Sequence, residues 1–253
     1  MFSRAWLFTT LIAFAGTALC ARLGIWQLDR LAQRRAFNAQ VETMRAAEML
    51  DLNKNLPADV ASMEWRAVTV TGQYDFDNQV LLRNQYNGDQ YGYHIITPLL
   101  FNPSAGSGQA AVLVDRGWIP ADPISGNSVP TRAALRKYDE AGPLNITGQI
   151  RIGQAKPIIG GVADPQLSPD QTRLDVWNNF NVERIAKQIP YPILSVYVQP
   201  NSEDPNSAPP IAFQPIVDLT EGPHFSYALQ WFTFAAILFV GYPFYLHRQN
   251  RKL

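Results

Sequence analysis

Few side chains in this chain of 253 residues are suited to chemistry: three histidines, His94, His224 and His247, and one cysteine, Cys20. No two histidines sit at the spacing of a zinc site, and the four methionines are scattered rather than clustered as copper would require. A single cysteine cannot close an internal disulfide, and no Cys-x-x-Cys pair exists. There is no Gly-x-Ser-x-Gly elbow, since Ser104-Ala105-Gly106-Ser107-Gly108 reads as a flexible loop. There is also no phosphate-binding loop ending in Lys-Ser or Lys-Thr. Asn145-Ile146-Thr147 matches a glycosylation triplet but falls inside an expected strand. The formal net charge of zero gives no electrostatic footprint for nucleic acid.

His224 is the histidine with a distinctive setting. It follows Gly222-Pro223 at the start of a long apolar run, and proline suits the first turn of a helix. A helix N-terminus disfavours positive charge, so the ring offers a lone pair there. Helical side chains lean toward the N-terminus, which carries this ring to the membrane surface. Tyr227, Ala228 and Trp231 follow at helical spacing and share its face. A planar hydrophobic cofactor with an iron centre suits such a place. So does a plain interfacial histidine that anchors a helix beside its aromatic belt, and the residues alone leave both readings open. His94 lies in an expected strand and reads as structural. His247 flanks the far end of the run, about 34 Å from His224 along a helix rising ~1.5 Å per residue.

Two apolar runs must position these groups. Residues 6–23 carry no charge before Arg22, and as a helix they span about 27 Å, close to the ~30 Å hydrocarbon core of a bilayer. A cleaved signal peptide is the competing reading, but no convincing cleavage site ends the run. Residues 225–246 are uncharged, with Tyr227 and Trp231 near one end and Tyr242 and Tyr245 near the other, as an aromatic belt requires. Gly241 and Pro243 fall in the last turns, where a membrane helix tolerates them. No Lys or Arg stands between 188 and 247, whereas Arg248, Arg251 and Lys252 follow at once. The C-terminus is therefore expected inside and, with two spans, the N-terminus as well. The first run argues the other way, because Arg22, Arg30, Arg34 and Arg35 follow it and only Arg4 precedes it. The second run decides: its asymmetry is complete, and the segment between the runs is too long for a short-loop rule.

Between the runs, residues 23–49 continue the first helix, with Trp26, Arg30 and Arg34 at helical spacing on one face. From Trp65 onward short β-type runs take over, at 66–74, 79–84, 91–100, 111–118, 144–152, 174–178 and 193–198. Some alternate with period two, as Val68, Val70 and Gly72 do against Thr69 and Thr71. Asn87-Gly88, Asp122-Pro123 and Gly160-Gly161 supply turns, and 181–188 reads as a short helix. The 19 prolines break the middle of the chain into short pieces. The expected fold is α+β: two transmembrane helices around a β-rich antiparallel, barrel- or sandwich-like extracytoplasmic domain. Its parts are a spanning helix over 6–23, a juxtamembrane helix over 24–49, a periplasmic domain over 50–224, a second span over 225–246 and a cytoplasmic tail over 247–253.

Four segments carry a family resemblance. Gly24-Ile25-Trp26-Gln27-Leu28-Asp29-Arg30 resembles the Gly-x-Trp-Gln-x-x-Arg signature of the Surfeit locus protein family. Gly92-Tyr93 with Thr97-Pro98-Leu99, Val114-Asp115-Arg116-Gly117-Trp118-Ile119-Pro120, and His224-Phe225-Ser226-Tyr227-Ala228-Leu229-Gln230-Trp231-Phe232 are similar to its three later motifs. They come in the family's order and cover most of the chain. The resemblance implies a non-enzymatic assembly factor for haem–copper cytochrome c oxidase, with the oxidase's catalytic subunit as partner and a haem-a synthesis enzyme as a second possible one. It implies haem a as cofactor, with His224 as metal ligand. Tyr227, Trp231 and Trp26 would line the site, and Arg30 and Arg34 would face either haem propionates or anionic lipid headgroups. A scaffold that holds an oxidase intermediate without touching haem is the alternative. Many members carry Asn shortly before that histidine, where this chain has Glu221-Gly222-Pro223. The short stretch ahead of the first apolar run leaves no room for a mitochondrial leader, which points to a bacterial inner membrane.

Overall fold

The computed structural model describes residues 4–104, 108–121, 129–157, 160–167 and 171–250. The expected turn at Asp122-Pro123 and the middle of the 104–108 loop lie outside them. In chain order the elements are α1 (Arg4–Ala46), β1 (Leu50–Asp51), β2 (Ala67–Tyr74), β3 (Val80–Asn87), β4 (Gln90–Phe101), β5 (Ala110–Pro120), α2 (Arg132–Leu135), β6 (Leu144–Ile152), β7 (Val176–Trp177), α3 (Val182–Ala186), β8 (Ile193–Pro200) and α4 (His224–Asn250). They form two compact units, one of residues 1–42 with 217–253 and one of residues 43–216.

The first unit is a helix pair. Both α1 and α4 are long and apolar enough to cross a membrane. The 43 residues of α1 extend about 65 Å at ~1.5 Å per residue, roughly twice the ~30 Å hydrocarbon core. Only about half of α1 can therefore lie in a bilayer. The pair is antiparallel. Trp6 meets Tyr245 edge-on at 6.3 Å, the Thr9 and Thr10 hydroxyls each lie 2.8 Å from the Tyr242 hydroxyl, and Gly24 lies under the ring of Phe232. A Cβ on Gly24 would come within 2.6 Å of that ring, so the close approach depends on the missing side chain. Buried Gly24, Leu31 and Asn38 recur every seven residues on α1, the period of a helix–helix seam. Leu7, Phe8 and Leu11 on α1 and Ile237, Phe239 and Val240 on α4 point outward and are exposed, as lipid-facing positions would be.

The second unit is built on a closed ring of strands. β2 pairs antiparallel with β6, β6 with β8 and β5 with β4, while β8 and β5 run parallel. Two residue pairs, Gln73 with Leu100 and Tyr74 with Leu99, join β2 back to β4 and close the ring. This five-stranded Greek-key barrel has the connectivity of an OB-type fold, which by itself assigns no function. The interior is filled by Val68, Val70, Tyr74, Leu99, Phe101, Val112, Val114, Ile150, Val196 and Val198. β2 alternates buried and open positions, as a strand with one solvated face should. β4 and β5 are buried almost end to end, because their outer faces are covered too. Trp177, Phe180, Val182, Ile185 and Ile189 cover one part, and Leu81 and Leu135 cover another.

All seven expected β runs are found as strands, and the short helix at 181–188 as α3. The sheet is mixed rather than purely antiparallel, since β1–β2, β3–β7 and β5–β8 are parallel pairs. β1 and α2, two and four residues long, were not expected. They are too short to show a period.

Candidate functional site

His224 is the first residue of α4 and is half-buried. Its Nδ1 lies 2.8 Å from Oε1 of Gln27 on α1. Among the described residues its Nε2 has no hydrogen-bond partner. Gly222 (φ +67°) stands beside it, where a Cβ would lie 3.7 Å from Nε2. Tyr227, Trp231 and Trp26 lie on the same two helices. Tyr227 and Trp26 are open to the surroundings, while Trp231 is half-buried and meets Phe234 edge-on at 5.9 Å. Ala228 is fully buried, which lets α1 and α4 approach one turn below the histidine.

The arginines separate. Trp26, Arg30 and Arg34 are four residues apart, and each such step rotates about 40° beyond a full turn. Arg34 has therefore drifted ~80° round the helix from Trp26. Arg30 stays outside, its guanidinium 5.7 Å over the Trp26 ring and 3.0 Å from Gln33. Arg34 turns toward the seam, where its Nε donates to the Thr220 carbonyl at 2.9 Å and its Nη2 to the Asp218 carbonyl. It is committed to the chain's own backbone. Arg35 forms a forked pair with Glu221 at 2.7 and 2.9 Å, and Asn38 donates to the Leu219 carbonyl. Together Arg34, Arg35 and Asn38 strap residues 218–221 onto α1 and fix the entry to α4. The Arg35 hydrogen bond holds the Glu221 carboxyl below its ordinary range. The Thr220 amide, and after it Arg34, does the same for Asp218. In the sequence Gln27 stands out only within a motif, Arg35 only as a flanking charge and Glu221 only as a departure from the family pattern, and Asn38 does not stand out at all. The available signal was polar Gln27 and Asn38 at seam spacing beside Gly24, Leu31 and Val41.

The barrel holds a second polar locality. His94 on β4 and Asp115 on β5 are both nearly buried, with Nδ1 3.0 Å from Oδ2. The other carboxylate oxygen accepts from the Gly117 amide at 3.2 Å. Between Ile95–Gly117 and Ile96–Asp115 the register shifts by one residue, so Arg116 is an extra residue in β5. Such a bulge re-aims its neighbours, and Gly117 (φ +115°) takes a backbone conformation that side chains disfavour. Burial pushes the His94 imidazole down, but the Asp115 carboxylate outweighs it and holds the ring above its ordinary value. His94 lines a cavity of about 170 Å³ together with Trp118, Glu203, Ile211 and Phe213. Arg116 is buried, bonded to the Tyr138 carbonyl and to Glu140, with its guanidinium 4.8 Å over Tyr74. The motif around Arg116 thus serves the barrel. Among the described residues no group of three or more potential ligands could hold a metal ion.

Two paired apolar helices, with a separate Greek-key barrel between them in sequence, fit a two-pass membrane protein. The model of the SURF1 family matches residues 14–236, and the chain belongs to that family. A SURF1-like protein of Mycobacterium tuberculosis is 28% identical over 97% of this chain and 85% of its own length. One from Rickettsia conorii is 23% identical over 95% and 92%. The cytochrome oxidase assembly protein SHY1 of Saccharomyces cerevisiae is 26% identical over 46% of this chain and 29% of its own length.

Proposed function

We propose that the protein is an assembly factor for a haem–copper cytochrome c oxidase that carries haem a on His224 and aids its insertion into the catalytic subunit. Family membership and the name of the yeast relative support the oxidase connection. The haem reading rests chiefly on the imbalance at His224: Nδ1 is engaged by Gln27 while Nε2 has no partner among the described residues. Metal-bound histidines characteristically have their second ring nitrogen held in this way. His224 would hold an iron porphyrin through Nε2, with Tyr227, Trp231 and Trp26 as apolar surface and Arg30 as the guanidinium left for a propionate. Arg34 is occupied by backbone carbonyls and drops out of that role. The haem would supply the iron and its redox chemistry; the chain would bind, orient and release it, without catalysing a reaction.

The same reading places the protein in a bacterial inner membrane, with the barrel in the periplasm and both termini in the cytoplasm. The bare outer flank and basic inner flank of α4 support this orientation. The four arginines after the first span weigh less, because the rule is counted over short loops and the segment between the two helices includes all of residues 43–216. The commitment of Arg34 favours a second reading, a scaffold for an oxidase intermediate that binds no haem. The full chain, co-expressed with haem-a synthesis enzymes and purified, should show a haem spectrum that His224→Ala abolishes without loss of protein. Full haem content in that variant would overturn the ligand, and a colourless wild type would favour the scaffold.

A further inference from the structure

We propose that Gln27 is the positioning residue of the His224 site, and that it makes Nε2, not Nδ1, the atom offered to a metal. The inference rests on the reading that His224 binds an iron porphyrin, and it adds what decides the geometry of that bond.

The contact is between His224 Nδ1 and the amide oxygen of Gln27, at 2.8 Å. An amide oxygen carries no hydrogen and can only accept. The proton must therefore sit on Nδ1, and a neutral ring with its proton there has its lone pair on Nε2. Gly222 stands beside this nitrogen, and even a Cβ there would lie 3.7 Å from it. Gln27 can do this because its own place is fixed. It sits on α1 between the buried seam positions Gly24 and Leu31, and the strap from Arg34, Arg35 and Asn38 to residues 218–221 holds the start of α4 against the same helix. A ligand on one helix is thus aimed by an acceptor on the other. Without the acceptor the imidazole could turn about its side-chain bonds and exchange its proton between the two nitrogens. An oriented partner behind a metal-bound histidine is worth on the order of 10–100-fold in metal affinity.

Three variants of the full chain test this, each purified in detergent and titrated with ferric protohaem: Gln27→Leu, Gln27→Glu and His224→Ala. In the protein without haem, nitrogen NMR of labelled histidines, with His224 assigned by its loss in His224→Ala, should show the proton on Nδ1. In Gln27→Leu, which keeps the bulk but cannot accept, that preference should vanish and protohaem affinity should fall on the order of 10–100-fold. Gln27→Glu keeps the acceptor and adds charge. It should retain binding and lower the midpoint potential of the bound haem, because a carboxylate pulls harder on the Nδ1 proton and enriches the ring facing the iron. A proton found on Nε2 in the wild type would overturn the proposal. So would equal affinity in Gln27→Leu together with an unchanged potential in Gln27→Glu, provided His224→Ala loses binding. If His224→Ala binds protohaem like the wild type, the function reading fails instead, and the NMR result alone then decides the orientation.

Discussion

Replacing Asp115 with Asn should destabilise the barrel by an amount that depends on pH. The two side chains of the His94–Asp115 pair are only 11% and 6% exposed, so water cannot replace what either loses. The carboxylate accepts from two donors, His94 Nδ1 at 3.0 Å and the Gly117 amide at 3.2 Å. An Asn side chain has one oxygen and can serve only one of them unless the imidazole changes tautomer. His94 is held above its ordinary value in the folded protein. The pair's ionic stabilisation is therefore complete below the unfolded histidine's value of about 6.5 and fades as pH rises through the folded one. At pH 6 a buried charge left without its partner would cost about 3–5 kcal/mol, but the ring can escape part of this by releasing its proton, leaving a loss of roughly 2–4 kcal/mol. As pH rises through the folded value the ring loses its proton, and the loss falls toward about 1 kcal/mol, the worth of one hydrogen bond. Thermal unfolding followed by near-ultraviolet circular dichroism should show Tm lowered by roughly 4–16 °C at pH 6 and by less at pH 8.5, approaching about 2–4 °C where the ring is neutral. Equal losses at the two pH values would refute the reasoning, because they would mean that the pair is never ionic.

Three further outcomes are expected. Gly117→Ala should cost more than ~2 kcal/mol, since its Cβ would lie 2.2 Å from the Ile211 carbonyl oxygen at a left-handed backbone position. It should also speed amide exchange at Trp118 and Ile211, whose amides and carbonyls pair at 2.9 Å in both directions, and native-rate exchange there would count against it. Gly24→Val should push Phe232 off α1 and lower the yield of a disulfide between cysteines placed at positions 10 and 242; an undiminished yield would show that the helices do not need the close approach. Reporter fusions should place residue 100 in the periplasm and residue 253 in the cytoplasm, and a cytoplasmic signal at residue 100 would overturn the proposed orientation.

The parts of this protein legible in its sequence are those set by local rules. The 43-residue α1 and the apolar α4 follow from long uncharged runs, and strands such as β2 follow from period-two alternation. The place of His224 at the start of an apolar run, where no other histidine stands, is likewise plain in the sequence. Pairing was not legible. Ring closure depends on two contacts between β2 and β4, and the parallel β5–β8 match joins segments far apart in the chain. Neither leaves a mark on the residues between them. The partners of Arg34 were not legible for the same reason: its helical spacing fixes the direction of the side chain, but the carbonyls that take it belong to residues 184 and 186 positions away. Gln27 meets His224 across 197 positions of sequence, and Asp115 meets His94 because a one-residue bulge shifts β5 against β4. Periodicity tells each residue which way to face. What it faces is decided by packing, which sums weak contacts over the whole chain and has no local signature.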